Sequence, residues 1–225
     1  MPAEPIDADV GKGSLAGTAS RTGSSVDAID GVAPAVVVSP TTTAEVVAIV
    51  EDCRASARAV IAVGGATLLE VGNVPRRFDV RLDLSRLTQT IEHSPEDMVV
   101  TVAASVSLAD LNDRLAEAGQ RVALTAPDPR RATVGGLAAA DFAGPLAYAY
   151  GSPRDQILGM TVVDGCGRRL RAGGRVVKNV AGYDLPRLFS GSYGTLGVIT
   201  ELTLRSYPRP EQSRALHVDY DDWRA

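Results

Sequence analysis

The chain has 225 residues, 45% hydrophobic and 4% aromatic, enough to bury a core in one large domain or two small lobes. Its 23 basic and 27 acidic residues leave a net charge of −4, which argues against the broad basic face of a general nucleic-acid binder but allows a local basic pocket for a phosphate. Cys53 and Cys166 stand far apart outside any C-x-x-C pattern, and neither His93 nor His217 has a second ligand nearby, so two reduced thiols are expected and a zinc site is not.

Residues 1–33, rich in Gly, Ala, Ser, Asp and Thr as in GKGSLAGTASRTGSS, read as a mobile segment, with order beginning at the run Ala35, Val36, Val37, Val38. They carry no basic stretch followed by an apolar one, and no run in the chain approaches about 18 apolar residues, so a cytoplasmic chain without a transmembrane segment is expected. The stretch SPTTTAEVVAIVEDCRASARAVIAV predicts strand, helix, strand: Thr41, Thr42 and Thr43 offer a helix start, Glu45 puts a carboxylate in the first turn, and Val46, Val47, Ile49 and Val50 make an apolar face. A buried strand over 59–63 leads into a glycine-bounded loop over 64–73, and VRLDL at 80–84 predicts another strand.

HSPED at 93–97 is a turn cluster, taken as the boundary between two lobes, and MVVTVA at 98–103 is a strand. SLADLNDRLAEA at 107–118 is an amphipathic helix, with Ser107 as N-cap, Asp110 at the third helical position and Gly119 just past its end. Further strands are expected at about 158–164, 168–171, 175–178 and 196–206.

Three glycine-bearing segments lie far apart along the chain. The first, Val63-Gly64-Gly65-Ala66-Thr67, follows a strand; the second, Thr133-Val134-Gly135-Gly136-Leu137, opens a small-residue helix; the third is SGSYGTLGVIT at 190–200, with Gly191, Gly194 and Gly197 every three residues. Successive amides on a glycine-rich turn can form a nest for phosphate oxygens, and a helix start adds unpaired N–H groups, so two such segments converging would suit a diphosphate. Each is equally readable as a tight turn. Two other nucleotide motifs fail here: GGATLLE lacks the Lys-Ser/Thr pair of a triphosphate loop, and no G-x-G-x-x-G opens a helix after the strand.

The run from PRRATVGG through GSPRDQILG to GGRVVKNVAGYDLPRLFSGSYGTLGVITE resembles the FAD-binding domain of the vanillyl-alcohol oxidase/p-cresol methylhydroxylase superfamily, and within it the FAD-binding subunits of glycolate-oxidase-type dehydrogenases. The resemblance covers about residues 35–208. It implies an α+β, two-lobed FAD-binding domain of the p-cresol methylhydroxylase type; with the composition and turn signals above, this gives a mobile segment at 1–33, a first lobe at 34–95, a second at 96–208, and 209–225 as a tail or the start of a cap domain otherwise lacking. Gly64, Gly65, Ala66, Thr67 and Leu68 match the pyrophosphate loop. Thr133, Gly135 and Gly136 match the segment meeting the diphosphate and flavin edge. Gly144, Gly151 and Asp155 fall in the linker that wraps the cofactor, and Gly194, Gly197 and Ile199 match the strand entry bordering the adenosine or flavin end.

Some readings stay local. Asp184 suits the N-cap of a short helix with Pro186 in its first turn, and Leu188 and Phe189 are expected to be buried. Lys178 is either cofactor-facing or solvated, and Tyr183 either a flavin-side hydroxyl or packed. Arg154 is either a substrate cation or the partner of Asp155. Arg130 and Arg131 are either beside the diphosphate or simply solvated.

The chain departs from the family's usual R-G-G-G-T-K loop: Val63 and Leu68 replace cations and Ala66 replaces a glycine. Asp141 stands where relatives often carry hydroxyls and an amide, and a carboxylate there would repel a diphosphate unless paired. Weaker FAD binding than in a typical relative is expected, without covalent attachment, since no histidine occupies the attachment position.

The implied function is the FAD module of an oxidoreductase acting on a 2-hydroxy acid such as glycolate or D-lactate, passing electrons to partner subunits, among them a catalytic flavoprotein and an iron–sulfur protein. No catalytic base is named. A non-catalytic assembly subunit with a degraded FAD site, and a sugar or aldonolactone oxidase of the same fold, remain as alternatives.

Overall fold

The computed structural model describes residues 14–88, 90–174 and 184–214. The first lobe holds β1 (Ser14–Leu15), β2 (Thr18–Thr22), β3 (Val36–Val38), α1 (Thr43–Ala55), β4 (Val60–Val63) and β5 (Val80–Asp83). The order in its sheet is β1-β2-β3-β5-β4; β3, β5 and β4 run parallel, and β2 pairs antiparallel with β3. Helix α1 starts where the Thr42 hydroxyl accepts the Glu45 amide at 3.2 Å while the Glu45 carboxylate accepts the Thr41 amide at 2.6 Å. Its buried residues Val46, Ile49, Val50 and Cys53 share a core with Val36, Val38, Val80 and Leu82.

Order begins earlier than Ala35. Residues 14–22 form strands, Ile29 and Val32 make a bridge, and Leu15 is buried in the first-lobe core. Composition alone misses this because the stretch is ordered by a strand already in place and by one ion pair. Both terminal nitrogens of the Arg21 guanidinium donate to the buried Asp27 carboxylate, at 2.7 and 2.6 Å, and the Ser24 amide and hydroxyl donate to it as well.

The second lobe adds, in chain order, β6 (Ile91–Ser94), β7 (Val99–Ala103), α2 (Leu108–Ala116), β8 (Gln120–Arg121), α3 (Val134–Ala140), α4 (Ala147–Tyr150), α5 (Pro153–Gln156), β9 (Ile157–Asp164), β10 (Arg169–Gly173), α6 (Leu185–Phe189), β11 (Gly197–Arg205) and β12 (Tyr207–Pro208). Five strands form an antiparallel sheet in the order β10-β9-β11-β7-β6. HSPED therefore does not divide the lobes. It ends β6 and makes the hairpin turn into β7, and the chain leaves the first lobe between Leu87 and Ile91. The same polar and proline signals mark hairpins and linkers alike.

Helix α2 buries Leu108, Leu111 and Leu115 against this sheet, and α3 buries Val134, Leu137 and Ala138 in the same core. Ser107 caps α2 by accepting the Asp110 amide at 3.0 Å. The lobes meet through α1, which touches β9, with Val163 and Val198 of the second sheet entering the first-lobe core. Asp184 caps α6, accepting the Arg187 amide at 3.2 Å, with Pro186 in the first turn. Phe189 is buried, but Leu188, expected to be buried, is 56% exposed: in so short a helix adjacent positions face directions about 100° apart. The strand expected at 175–178, Lys178, Tyr183 and His217 lie outside the described residues.

Candidate functional site

Three segments converge where the lobes meet. Strand β4 ends at Val63 and opens into the first glycine loop. The amides of Gly65, Ala66, Thr67 and Leu68 find no acceptor among the described residues. Ala66 sits in the left-handed region at φ +56°, a conformation that costs a residue with a Cβ about 1–2 kcal/mol. Such a residue turns successive amides toward a common side, the geometry of an anion nest.

The close approach that needs glycine here is between chain segments. A Cβ on Gly65 would lie 1.7 Å from the Arg131 carbonyl oxygen, and one on Gly135 would lie 2.5 Å from the Ala104 Cβ. Gly136 and Gly194 are different: the first meets only the Thr133 hydroxyl at 3.1 Å, and the second nothing within 4 Å.

The expectation that the start of α3 supplies free donors is corrected. Val134 donates to the Val106 carbonyl at 2.9 Å, Gly135 to the Ala104 carbonyl at 3.0 Å, and Gly136 to the Thr133 hydroxyl at 3.2 Å. Docking against the 104–106 segment uses the groups that an isolated helix leaves open. Among the described residues, the free donors are on the β4 loop instead. The third segment covers the other end of α3, where the amides of Gly191 and Tyr193 donate to the carbonyls of Ala138 and Ala139 at 3.1 and 2.8 Å. Gly194 then turns the chain at φ +73° into β11.

Together these segments line one crevice that is open to solvent, with a cavity volume of about 120 Å³. Gly64, Gly65, Ala66, Thr67 and Leu68 form one wall, Thr133, Gly135 and Gly136 a second, and Gly194, Gly197 and Ile199 a third. Gly144 and Asp155 are not brought to it. Gly144 packs on Thr125, where a Cβ would come within 2.4 Å of the methyl group. Asp155 accepts the Ser152 amide at 3.0 Å at the start of α5. Sequence reasoning also missed Ala104, Ala139, Leu84 and Tyr193, all on the crevice wall. Tyr193 carried a signal, as an aromatic inside a glycine-rich turn; the others are ordinary core types and carried none.

No charged side chain lines the crevice among the described residues. Asp141, at the left-handed C-cap of α3, is held by Arg154, whose Nε and amide donate to it at 2.9 and 3.0 Å. Arg154 thus pairs with Asp141, and not with its neighbour Asp155.

The β4 loop has a second side. Ala66, Thr67, Leu68 and Leu69 also line a cleft shared with Ser25, Ala28 to Gly31, Pro127, Asp128 and Arg131. Its charged members are Asp30, Glu70, Asp128 and Arg131.

Neither cysteine reaches either cleft. Cys53 is buried, and burial pushes its thiol up to about 11, which leaves it inert. No group of three or more potential metal ligands occurs among the described residues.

A family model for an FAD binding domain matches residues 34–173. The chain is 42% identical over 127 residues to glycolate oxidase subunit GlcE of Escherichia coli (strain K12), a match spanning 56% of this chain and 36% of that protein. It is 37% identical over 191 residues to D-lactate dehydrogenase of Anaerostipes hadrus, spanning 84% and 40%. The chain thus spans about two fifths or less of the length of these relatives. Among solved structures, alkyldihydroxyacetonephosphate synthase has the same fold, with a TM-score of 0.68 at 23% identity over 80% of this chain and 33% of that one.

Proposed function

The chain belongs to the FAD binding domain family, and on that premise we propose that it is the cofactor-holding module of a flavin-dependent oxidoreductase acting on a 2-hydroxy acid such as glycolate or D-lactate. The observation that carries the reading is the row of amides on Gly65, Ala66, Thr67 and Leu68, unpaired among the described residues and set between two clefts that share this loop. A dinucleotide has this shape in chemical terms: a doubly anionic centre with a flat, largely apolar group on each side.

The residues present fit that group. The loop amides would hold the diphosphate. The uncharged crevice, with the Tyr193 ring and Ile199 on its wall, would take one flat end, and the open space over Gly136 and Gly194 leaves the backbone approachable. Arg154 would keep the Asp141 carboxylate from repelling the phosphates. When bound, FAD would accept the hydride equivalent from the α-carbon of the substrate, and the chain would supply orientation and electrostatics. We propose non-covalent binding, since no histidine or cysteine among the described residues lines either cleft.

GlcE is named a subunit, and on that likeness we propose that this chain works with partner subunits, a catalytic flavoprotein and an iron–sulfur protein, that complete the substrate site and take the electrons. Two unpaired cysteines, one buried and one exposed, suit a reducing compartment, and we place the chain in the cytoplasm, at most peripheral to a membrane through its complex. No helix among the described residues is long and apolar enough to cross a membrane.

One observation favours a second reading: among the described residues the crevice lacks any cation, as an assembly subunit with a degraded cofactor site would. Titrating the purified chain with FAD, following flavin fluorescence, separates the two. Saturable binding supports the enzyme module; no binding supports the assembly subunit. With FAD bound, reduction of a dye by glycolate and D-lactate, but not by sugars, in the presence of partner subunits supports the substrate class.

A further inference from the structure

We propose that Arg131 is the cation that pairs with the cofactor's diphosphate, in place of the cations missing from the β4 loop; this rests on the FAD reading above. The loop offers amides but no cation of its own, because Val63 and Leu68 flank its amides and, among the described residues, no charged side chain lines the main crevice. A dinucleotide diphosphate carries two negative charges, and neutral donors alone bind it less well than donors with a cation beside them. Among the described residues, Arg131 is the cation on the cleft that the loop shares, facing the carboxylates Asp30, Glu70 and Asp128 there.

Three observations place and free it. The Arg131 carbonyl oxygen is in contact with Gly65, so close that a Cβ there would fall 1.7 Å away, which fixes the arginine's backbone against the nest. Its own amide is occupied, donating to the Asp128 carbonyl at 3.2 Å and to the Asp128 carboxylate at 3.3 Å, which pins the turn that carries it. The guanidinium has no hydrogen bond or ion pair among the described residues, whereas Arg21, Arg77, Arg114, Arg154, Arg168 and Arg187 each hold a carboxylate. Arg130, its neighbour, lines neither cleft. The fork of N–H groups on arginine matches phosphate oxygens in pairs, and its fixed charge makes the interaction independent of pH in the neutral range.

The test is a fluorescence titration of FAD and of riboflavin, which lacks phosphate, against the purified chain, R131Q, R131K and R130Q. The expected result is a Kd for FAD at least about tenfold weaker in R131Q, as for loss of one hydrogen bond to a charged group. R131K is expected to recover part of the loss, R130Q to bind like the parent, and riboflavin to bind R131Q and the parent equally. Raising salt is expected to weaken FAD binding in the parent more than in R131Q. Thermal melts without cofactor check that R131Q is folded; if it is not, R131K and the salt series decide. Equal FAD affinity in parent and R131Q would overturn the proposal while leaving the FAD reading in place. Equal losses for FAD and riboflavin would overturn it in favour of a role at the ring end. A parent chain that binds no FAD would overturn both.

Discussion

Gly65 and Gly136 look alike in sequence, each the second member of a Gly-Gly pair, yet they serve different purposes. Gly65 has the Arg131 backbone where a side chain would go, while Gly136 has room that only the Thr133 hydroxyl narrows. Gly65→Ala therefore forces a backbone to move. We expect it to destabilise the chain by about 1–3 kcal/mol, the usual cost of overpacking, and to disturb the nest. Gly136→Ala stays within tolerance of one hydroxyl and gains helix propensity of up to about 1 kcal/mol, so its unfolding midpoint is expected to match or exceed the parent's. Urea denaturation of both variants checks this. Equal destabilisation would mean that chain packing does not distinguish the two pairs. If Gly136→Ala alone loses FAD affinity at unchanged stability, that glycine serves the ligand.

At the level of elements, caps tie local sequence to the site. Thr133 begins α3 and its hydroxyl is the acceptor for the Gly136 amide. Thr133→Ala removes that acceptor and is expected to cost about 1 kcal/mol, read as a lower urea midpoint with an unchanged slope. The N-terminal strand pair is held differently, by charge. Hydrogen bonds from Arg21 hold the Asp27 carboxyl well below the usual carboxylate range, against the opposing effect of its burial. A folded-state value below the unfolded one stabilises the fold above the unfolded value, about 3.9 for aspartate, and the contribution disappears as the pH falls past it toward the folded value. Unfolding free energies of the parent and Asp27→Asn, measured from pH 7 downward, are expected to differ by a constant amount above about pH 5 and to converge below about pH 4. A gap that persists unchanged below that range would assign the loss to packing. Periodicity and cap chemistry made α1, α2, α6 and most strands legible, because these depend on residues within four positions of one another. What was illegible depends on long-range partners: β3 ordering the 14–22 stretch, the 104–106 carbonyls occupying the start of α3, and Arg154 reaching back 13 positions to Asp141.

For the molecule as a whole, the site is legible only through motif resemblance, since nothing in spacing alone says that residues 65, 136 and 197 meet. They meet because α1 is packed between the two sheets, with Val163 and Val198 from the second lobe sealed into the first-lobe core. The crevice thus has one wall from the first lobe, residues 64–68, and two from the second, so a ligand filling it touches both. Such a ligand binds the folded chain and not the unfolded one, and adds RT ln(1 + [L]/Kd), about 2.7 kcal/mol at a hundredfold excess over Kd. At roughly 2–4 °C per kcal/mol for a chain of this size, saturating FAD is expected to raise Tm by about 5–10 °C. Riboflavin at the same concentration lacks both the diphosphate for the loop and the second flat group, so it engages fewer walls and is expected to raise Tm much less. Hydrogen exchange locates the effect: protection with FAD should appear at once on the β4 loop, on residues 133–140 and on residues 191–199, which lie in different lobes. Protection confined to one lobe would mean that the crevice does not act as a single site, and would leave the glycine segments as turns that happen to be neighbours.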